Sequence, residues 1–280
     1  MQHIRQPAVA GSFYPARKET LVNDVNVLLA EARMAASKGP LNNSLFSPKA
    51  IIVPHAGYIY SGPTAAAAFS RLAAVYDTIT RVILLGPVHR VPVRGLALPG
   101  ADVFATPLGN IQIDQSAVQA IKGLSQVVEC SDAHTNEHSL EVQLPFLQLM
   151  LANFELLPLA VGDASPQEVA EVLNLLWGGA ETLIVISSDL SHFLPYQMAV
   201  AADAVTAQNI LQLRSTLNHQ QACGGTPVNG FLLAAKQHRL YPSLLDLRNS
   251  GDTAGDKKRV VGYASFAFTE EQINVSQQRH

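Results

Sequence analysis

The chain has 280 residues, 48% of them apolar and only 15% charged, with a net charge of −3. That balance excludes a disordered or coiled-coil protein, both of which are far richer in charge. At this length roughly three quarters of the unfolded surface can be buried, so neither a disulfide nor a structural metal is needed merely to fold.

The 19 lysines and arginines are scattered, which argues against a nucleic-acid track. The start, MQHIRQPAVAGSFYPARK, has no signal-peptide pattern, and the most apolar later stretch, 144–161, is broken by Pro145, Gln148, Asn153, Glu155 and Pro158. No membrane span is expected. Two cysteines without an export signal point to a reducing, cytoplasmic location.

Residues 1–16, with Pro7, Gly11 and Pro15, read as an ordered loop. Leu21, Val25, Leu28 and Leu29 then recur at helical spacing, and this helix ends near Gly39-Pro40, where a polar stretch runs to Pro48. Eight short apolar or β-branched runs follow as strand candidates: 51–54, 82–85, 96–98, 127–129, 156–161, 183–186, 244–247 and 260–268. Helical patterns fall between them at 65–72, 116–121, 169–176, 201–211 and 228–235.

Continuous apolar strands alternating with helices predict a three-layer α/β/α sandwich with a mostly parallel central sheet. With no linker and no internal repeat, residues 1–280 read as one domain, ending in a polar tail at 269–280.

In open α/β sheets ligands collect beyond the carboxyl ends of the strands. Three apolar runs deliver histidine there: His55 in PHAGYIYSG, His89 in LGPVHR, and His192, with Asp189, in SSDLSHF. Two imidazoles and one anion with open positions is the ligand set of non-haem Fe(II) oxygenases, and zinc hydrolases use similar sets. Cys223, in ACGGTPVNGF, directly precedes a helix pattern, where the dipole is expected to lower a thiol's pKa. Cys130 has no such context and reads as packing.

A second cluster, HTNEHSLEVQLPF, supplies His134, Glu137, His138 and Glu141. Its His-x-x-Glu-His spacing matches an inverted zinc-peptidase pattern, the alternative being a helix start at which the two glutamates complement the dipole. No Gly-x-Gly-x-x-Gly, Walker loop or Gly-x-Ser-x-Gly elbow is present, so nucleotide binding and serine hydrolysis lack motif support.

Together these segments resemble the Memo family along almost the whole chain. IRQPAVAGSFYPA, VPHAGYIYSGPTAA, LLGPVHRVP, ATPLG, NEHSLEVQLPF, VISSDLSHF, ACGGTP and VVGYASFAF occur in that family's order. The resemblance implies a fold similar to the catalytic subunit of class III extradiol ring-cleaving dioxygenases, which hold Fe(II) with two histidines and a carboxylate.

Carried over by motif, His55, His89 and Cys223 are the implied metal ligands, with cysteine in the carboxylate's place. His192 is the implied acid/base, Asp189 lines the same pocket, and His138 and Glu141 are expected nearby. Fe(II) is the implied cofactor, with copper or zinc as alternatives. The implied partners are a small-molecule substrate and dioxygen, or else the proteins of a radical-SAM system for which the chain would be a non-catalytic binding and assembly module.

Overall fold

The computed structural model describes residues 2–38 and 47–270. The described strands are β1 (Ile4–Arg5), β2 (Ala50–Val53), β3 (Arg81–Pro87), β4 (Leu96–Leu98), β5 (Val103–Thr106) and β6 (Gly109–Gln112). They continue with β7 (Val127–Glu129), β8 (Glu155–Val161), β9 (Thr182–Ser187), β10 (His192–Leu194), β11 (Tyr241–Asn249) and β12 (Val260–Thr269). The described α-helices are α1 (Lys18–Ala36), α2 (Tyr58–Phe69), α3 (Gln115–Ile121), α4 (Asp132–Thr135), α5 (Leu144–Met150), α6 (Pro166–Leu175), α7 (Tyr196–Leu211) and α8 (Gly225–Gln237).

The main sheet runs β10-β12-β2-β9-β3-β8-β4-β7, with β11 also joined to β12. Its centre is parallel, since β2 pairs β9, β9 pairs β3 and β3 pairs β8 in that sense. Its flanks turn antiparallel, at β12 against β2 and at β4 against β8. The sheet is therefore mixed, its parallel pairing running through the four central strands and recurring between β4 and β7 at the edge.

Alternation along those strands divides the core. Ile51, Val53, Val82, Leu84 and Val185 face a layer containing Leu21, Val25 and Leu29 of α1, Phe69 of α2 and Phe146 of α5. Ile52, Ile83, Leu85, Ile184 and Ile186 face Val169, Val172 and Leu173 of α6 and Phe231 of α8. Each fully buried aliphatic or aromatic side chain contributes about 1.5–3 kcal/mol relative to exposure, and burial on both faces completes the α/β/α sandwich.

Local signals set several boundaries. Ser165 and Glu168 form a capping box with Pro166 in the first turn of α6. Helix α2 begins at Tyr58, before the apolar pattern at Ala65, and carries Pro63 inside it. Proline removes a helical hydrogen bond, and the packing of Ala65, Ala66, Ala68 and Phe69 into the core offsets that loss.

The N-terminal loop contributes β1, which pairs with β5, itself paired with β6, to form a small separate sheet. Most of the polar stretch at 39–48, and the tail beyond residue 270, lie outside the described residues. Among the described residues no helix is long and apolar enough to cross a membrane.

Candidate metal centre

The parallel strands deliver their polar residues at one edge. β2 ends at Val53 and leads to His55, β3 ends at Pro87 and leads to His89, and β9 ends at Ser187 and leads to Asp189. His138 arrives from the irregular segment between α4 and the turn Glu141–Gln143. The rings of His55, His89 and His138 lie 4.7–5.4 Å apart, centroid to centroid. One potential ligand atom from each falls within 4.8 Å of the others, a spacing that fits a single metal ion.

The hydrogen bonds around the rings show which nitrogen faces the shared space. Glu137 Oε1 accepts from Nδ1 of His89 at 3.0 Å and Nδ1 of His138 at 3.1 Å. Backbone amides of His138 (2.8 Å), Ser139 (2.9 Å) and His89 (2.6 Å) complete the donors to this carboxylate. Burial alone would raise the pKa of Glu137, but the bonds from His138, His89 and Ser139 prevail and hold it far below the usual carboxylate range. An ionised carboxylate only accepts, so both Nδ1 atoms carry hydrogen, and it is Nε2 of each ring that is left to serve as a metal ligand.

His55 reaches the same state by another route. Its Nδ1 lies 2.8 Å from Ser187 Oγ, whose own hydrogen goes to the Ser139 carbonyl at 2.6 Å while Gln143 Nε2 donates to it at 2.9 Å. With the serine hydrogen committed, His55 Nδ1 must be the donor and Nε2 the acceptor, facing Cys223 Sγ. Burial, reinforced by His138 and His89, pushes the pKa of His55 well below its ordinary value and keeps it neutral. Three imidazoles with outer nitrogens anchored are a donor set for Zn, Cu, Fe or Ni.

Asp189, His192 and Cys223 surround this set. Asp189 Oδ1 accepts the His55 amide at 2.7 Å, and burial raises its pKa. His192 Nδ1 meets the Leu190 carbonyl at 2.9 Å, and its ring lies near enough to act electrostatically on His55 and Asp189. Cys223 Sγ sits 3.2 Å from His55 Nε2. Gly224 makes this approach tolerable, because a Cβ there would meet Ser188 Cβ at 2.7 Å, and its amide donates to Ser188 Oγ at 3.0 Å.

The expected helix-dipole activation of the thiol does not hold. Burial and the neighbouring Asp189 push Cys223 up to about 12, outweighing bonds from Ser188 and Gly224. Beside it a cavity of about 330 Å³ is walled by Pro87, Val88, Pro92, Val161 and Pro227, with Thr226 and His219 among its polar residues.

Two residues of the HTNEHSLE segment point elsewhere. His134 Nε2 meets the Ala97 carbonyl at 2.8 Å, beneath the Phe104 ring, and α4 ends at Thr135, so no helix aligns His134 with His138 for a zinc-peptidase site. Glu141 is fully buried, its oxygens occupied by Arg5, Tyr14 and the amides of Ala8 and Val9. Cys130 packs against the core. Sequence reasoning did not single out Ser187 or Gln143, or the part played by Glu137. The available signal was a carboxylate adjacent to a site histidine.

The chain is an α/β/α sandwich with a histidine cluster at the carboxyl edge of its parallel strands, the edge at which proteins of this class bind ligands. The profile of the Memo-like protein family matches residues 5–267, and the chain belongs to that family.

It is 35% identical to a MEMO1 family protein of Aquifex aeolicus, covering 95% of this chain and 99% of that one. It is 35% identical to one from Ignicoccus hospitalis (95% and 98% covered) and 32% to one from Thermotoga neapolitana (94% and 98%). In fold it is similar to an uncharacterized Escherichia coli K12 protein of known crystal structure, with a TM-score of 0.51 and 12% identity over 77% of this chain and 98% of that chain.

Proposed function

We propose that this chain is a mononuclear non-haem metal protein, an Fe(II)-dependent oxidoreductase of dioxygenase type acting on a small molecule. The observation that carries this reading is the convergence of three imidazoles within 4.8 Å, each with its other nitrogen already hydrogen-bonded. His55, His89 and His138 would hold the ion. The protonated Cys223 thiol stands beside His55 as the one softer donor in reach, and it would join the set only after losing its proton. Fe(II) would supply one-electron chemistry with dioxygen.

The remaining residues have separable tasks. His192, with Nδ1 fixed on Leu190, offers Nε2 to accept or return a substrate proton. Asp189 fixes the His55 backbone and holds a second carboxylate oxygen in a dry environment. Glu137 orients His89 and His138. The cavity beside Cys223, with proline and valine walls and Asp163, His219 and Thr226 at its polar side, suits a small substrate with an apolar body and a polar group.

Anaerobic reconstitution with Fe(II), Cu(I), Co(II) or Zn(II), followed by elemental analysis and oxygen-consumption assays on a catechol panel, tests the proposal. One ion per chain with substrate-dependent oxygen uptake is expected. Stoichiometric metal without uptake would retain the centre and redirect the function to binding and assembly with partner proteins; no metal retained would refute both.

A further inference from the structure

The N-terminal segment supplies no imidazole to the cluster, yet it packs against the His138 ring and bonds to the backbone of Glu137. The two oxygens of Glu141 hold four of its donors: Arg5 Nη1, the amides of Ala8 (2.7 Å) and Val9 (3.0 Å), and the Tyr14 hydroxyl (2.6 Å). Arg5 directs its other nitrogens to the carbonyls of His134 (3.0 and 2.9 Å) and Glu137 (2.6 Å). It therefore pins the backbone of the residue that orients His89 and His138.

The same clamp shapes a tight loop. The Phe13 amide bonds to Val9 at 2.9 Å and the Gly11 amide to Tyr14 at 2.7 Å, with Gly11 at φ +87°, a conformation glycine adopts freely. The loop lays the Phe13 ring against His138 at 4.8 Å between centroids. The Phe13 carbonyl accepts the Tyr58 amide at 2.8 Å, three residues beyond His55, and the Tyr58 hydroxyl returns to the Val142 carbonyl at 2.7 Å. His138 needs such a wall: its side chain is 18% exposed, and its Nδ1 shares Glu137 Oε1 with three other donors.

We propose that Glu141 is a positioning residue for the metal centre, a buried latch that holds Phe13 against His138 and, through Arg5, holds Glu137 under His89 and His138. The inference rests on the three-histidine reading and deepens it: Glu141 acts through the N-terminal segment and touches neither metal nor substrate.

The test combines two measurements on the full chain. Long-range ¹H–¹⁵N spectra of the metal-free protein read the tautomer of each imidazole, and chelator competition with Co(II) reads affinity, with the visible Co(II) spectrum as a check on geometry. Glu141→Gln is expected to weaken Co(II) binding about 10–100-fold, as the loss of an outer-sphere partner does. It should also shift the Co(II) bands and give His138 a mixture of tautomers. Phe13→Ala should act in the same direction, Phe13→Leu should recover most of the loss, and the double variant should be no worse than Glu141→Gln alone.

A fall in melting temperature with unchanged tautomers and unchanged Co(II) affinity would overturn the proposal. If Glu141→Gln does not fold, Phe13→Ala decides alone. If the unmodified chain binds no Co(II), the three-histidine reading fails, and the His138 tautomer decides the latch, mixed in the variants supporting it and unchanged contradicting it.

Discussion

The two ends of the central parallel strands treat their polar atoms in opposite ways. At the amino end Lys49 Nζ donates to the carbonyls of Gly179 (2.7 Å) and Thr182 (3.0 Å), while Arg81 Nε pairs with Asp114 at 2.5 Å and Arg81 Nη2 with Ser116 at 3.0 Å. Each charge there is satisfied by a protein partner. At the carboxyl end Nδ1 of His55, His89 and His138 is satisfied, one potential ligand atom from each lies within 4.8 Å of the others, and Cys223 Sγ meets His55 Nε2 at 3.2 Å.

The amino end also has the larger cavity, about 850 Å³ against about 330 Å³ beside Cys223. The proposed site therefore lies at the end with the smaller cavity, and the reason for placing it there is a set of potential ligand atoms held by anchored rings.

The comparison breaks most easily at the ligands. His55→Ala, His89→Ala or His138→Ala should each remove stoichiometric metal, a loss larger than the 10–100-fold of any outer partner; elemental analysis after dialysis reads it. His134 sharpens the contrast within one segment, because its ring takes no part in the cluster. Burial, partly opposed by its bond to Ala97, lowers its pKa from 6.5 to about 4. Between those values the unfolded chain binds the extra proton, so stability falls as pH drops from 6.5 toward 4, by about 3 kcal/mol in all. Denaturant titrations of His134→Gln should show this part of the acid sensitivity gone and metal affinity retained.

Glu137→Gln is expected to weaken metal binding about 10–100-fold with the ligands intact, measured by chelator competition. The smallest effect belongs to the amino end. Asp114 caps α3 through the Ala117 amide at 2.8 Å, and Asp114→Ala should cost about 1 kcal/mol in a thermal or chemical melt while leaving metal affinity unchanged.

The sequence carried the central architecture because its signals there are local. All eight strand candidates and the main helices appear in the structure, each marked by an apolar period that a buried sheet or helix face imposes. Strands β1, β5, β6 and β10 escaped notice because they are two to four residues long and exist through pairing. Ile4 and Arg5, for example, align with Val103 and Phe104, about a hundred residues away.

The site divided along the same line. His55, His89 and Asp189 follow apolar strands and were legible. Glu141 was expected near the site, but its role was not legible: its principal partner Arg5 is 136 residues distant. The thiol of Cys223 was misjudged because burial and Asp189, both products of tertiary packing, outweigh the dipole of the helix that follows.

The central claim is that His55, His89 and His138 hold one metal ion. Metal stoichiometry after anaerobic reconstitution of the unmodified chain and of the triple alanine variant, both shown to be folded, tests it directly. The account predicts one ion per chain in the first and none in the second; equal stoichiometry in both would contradict it.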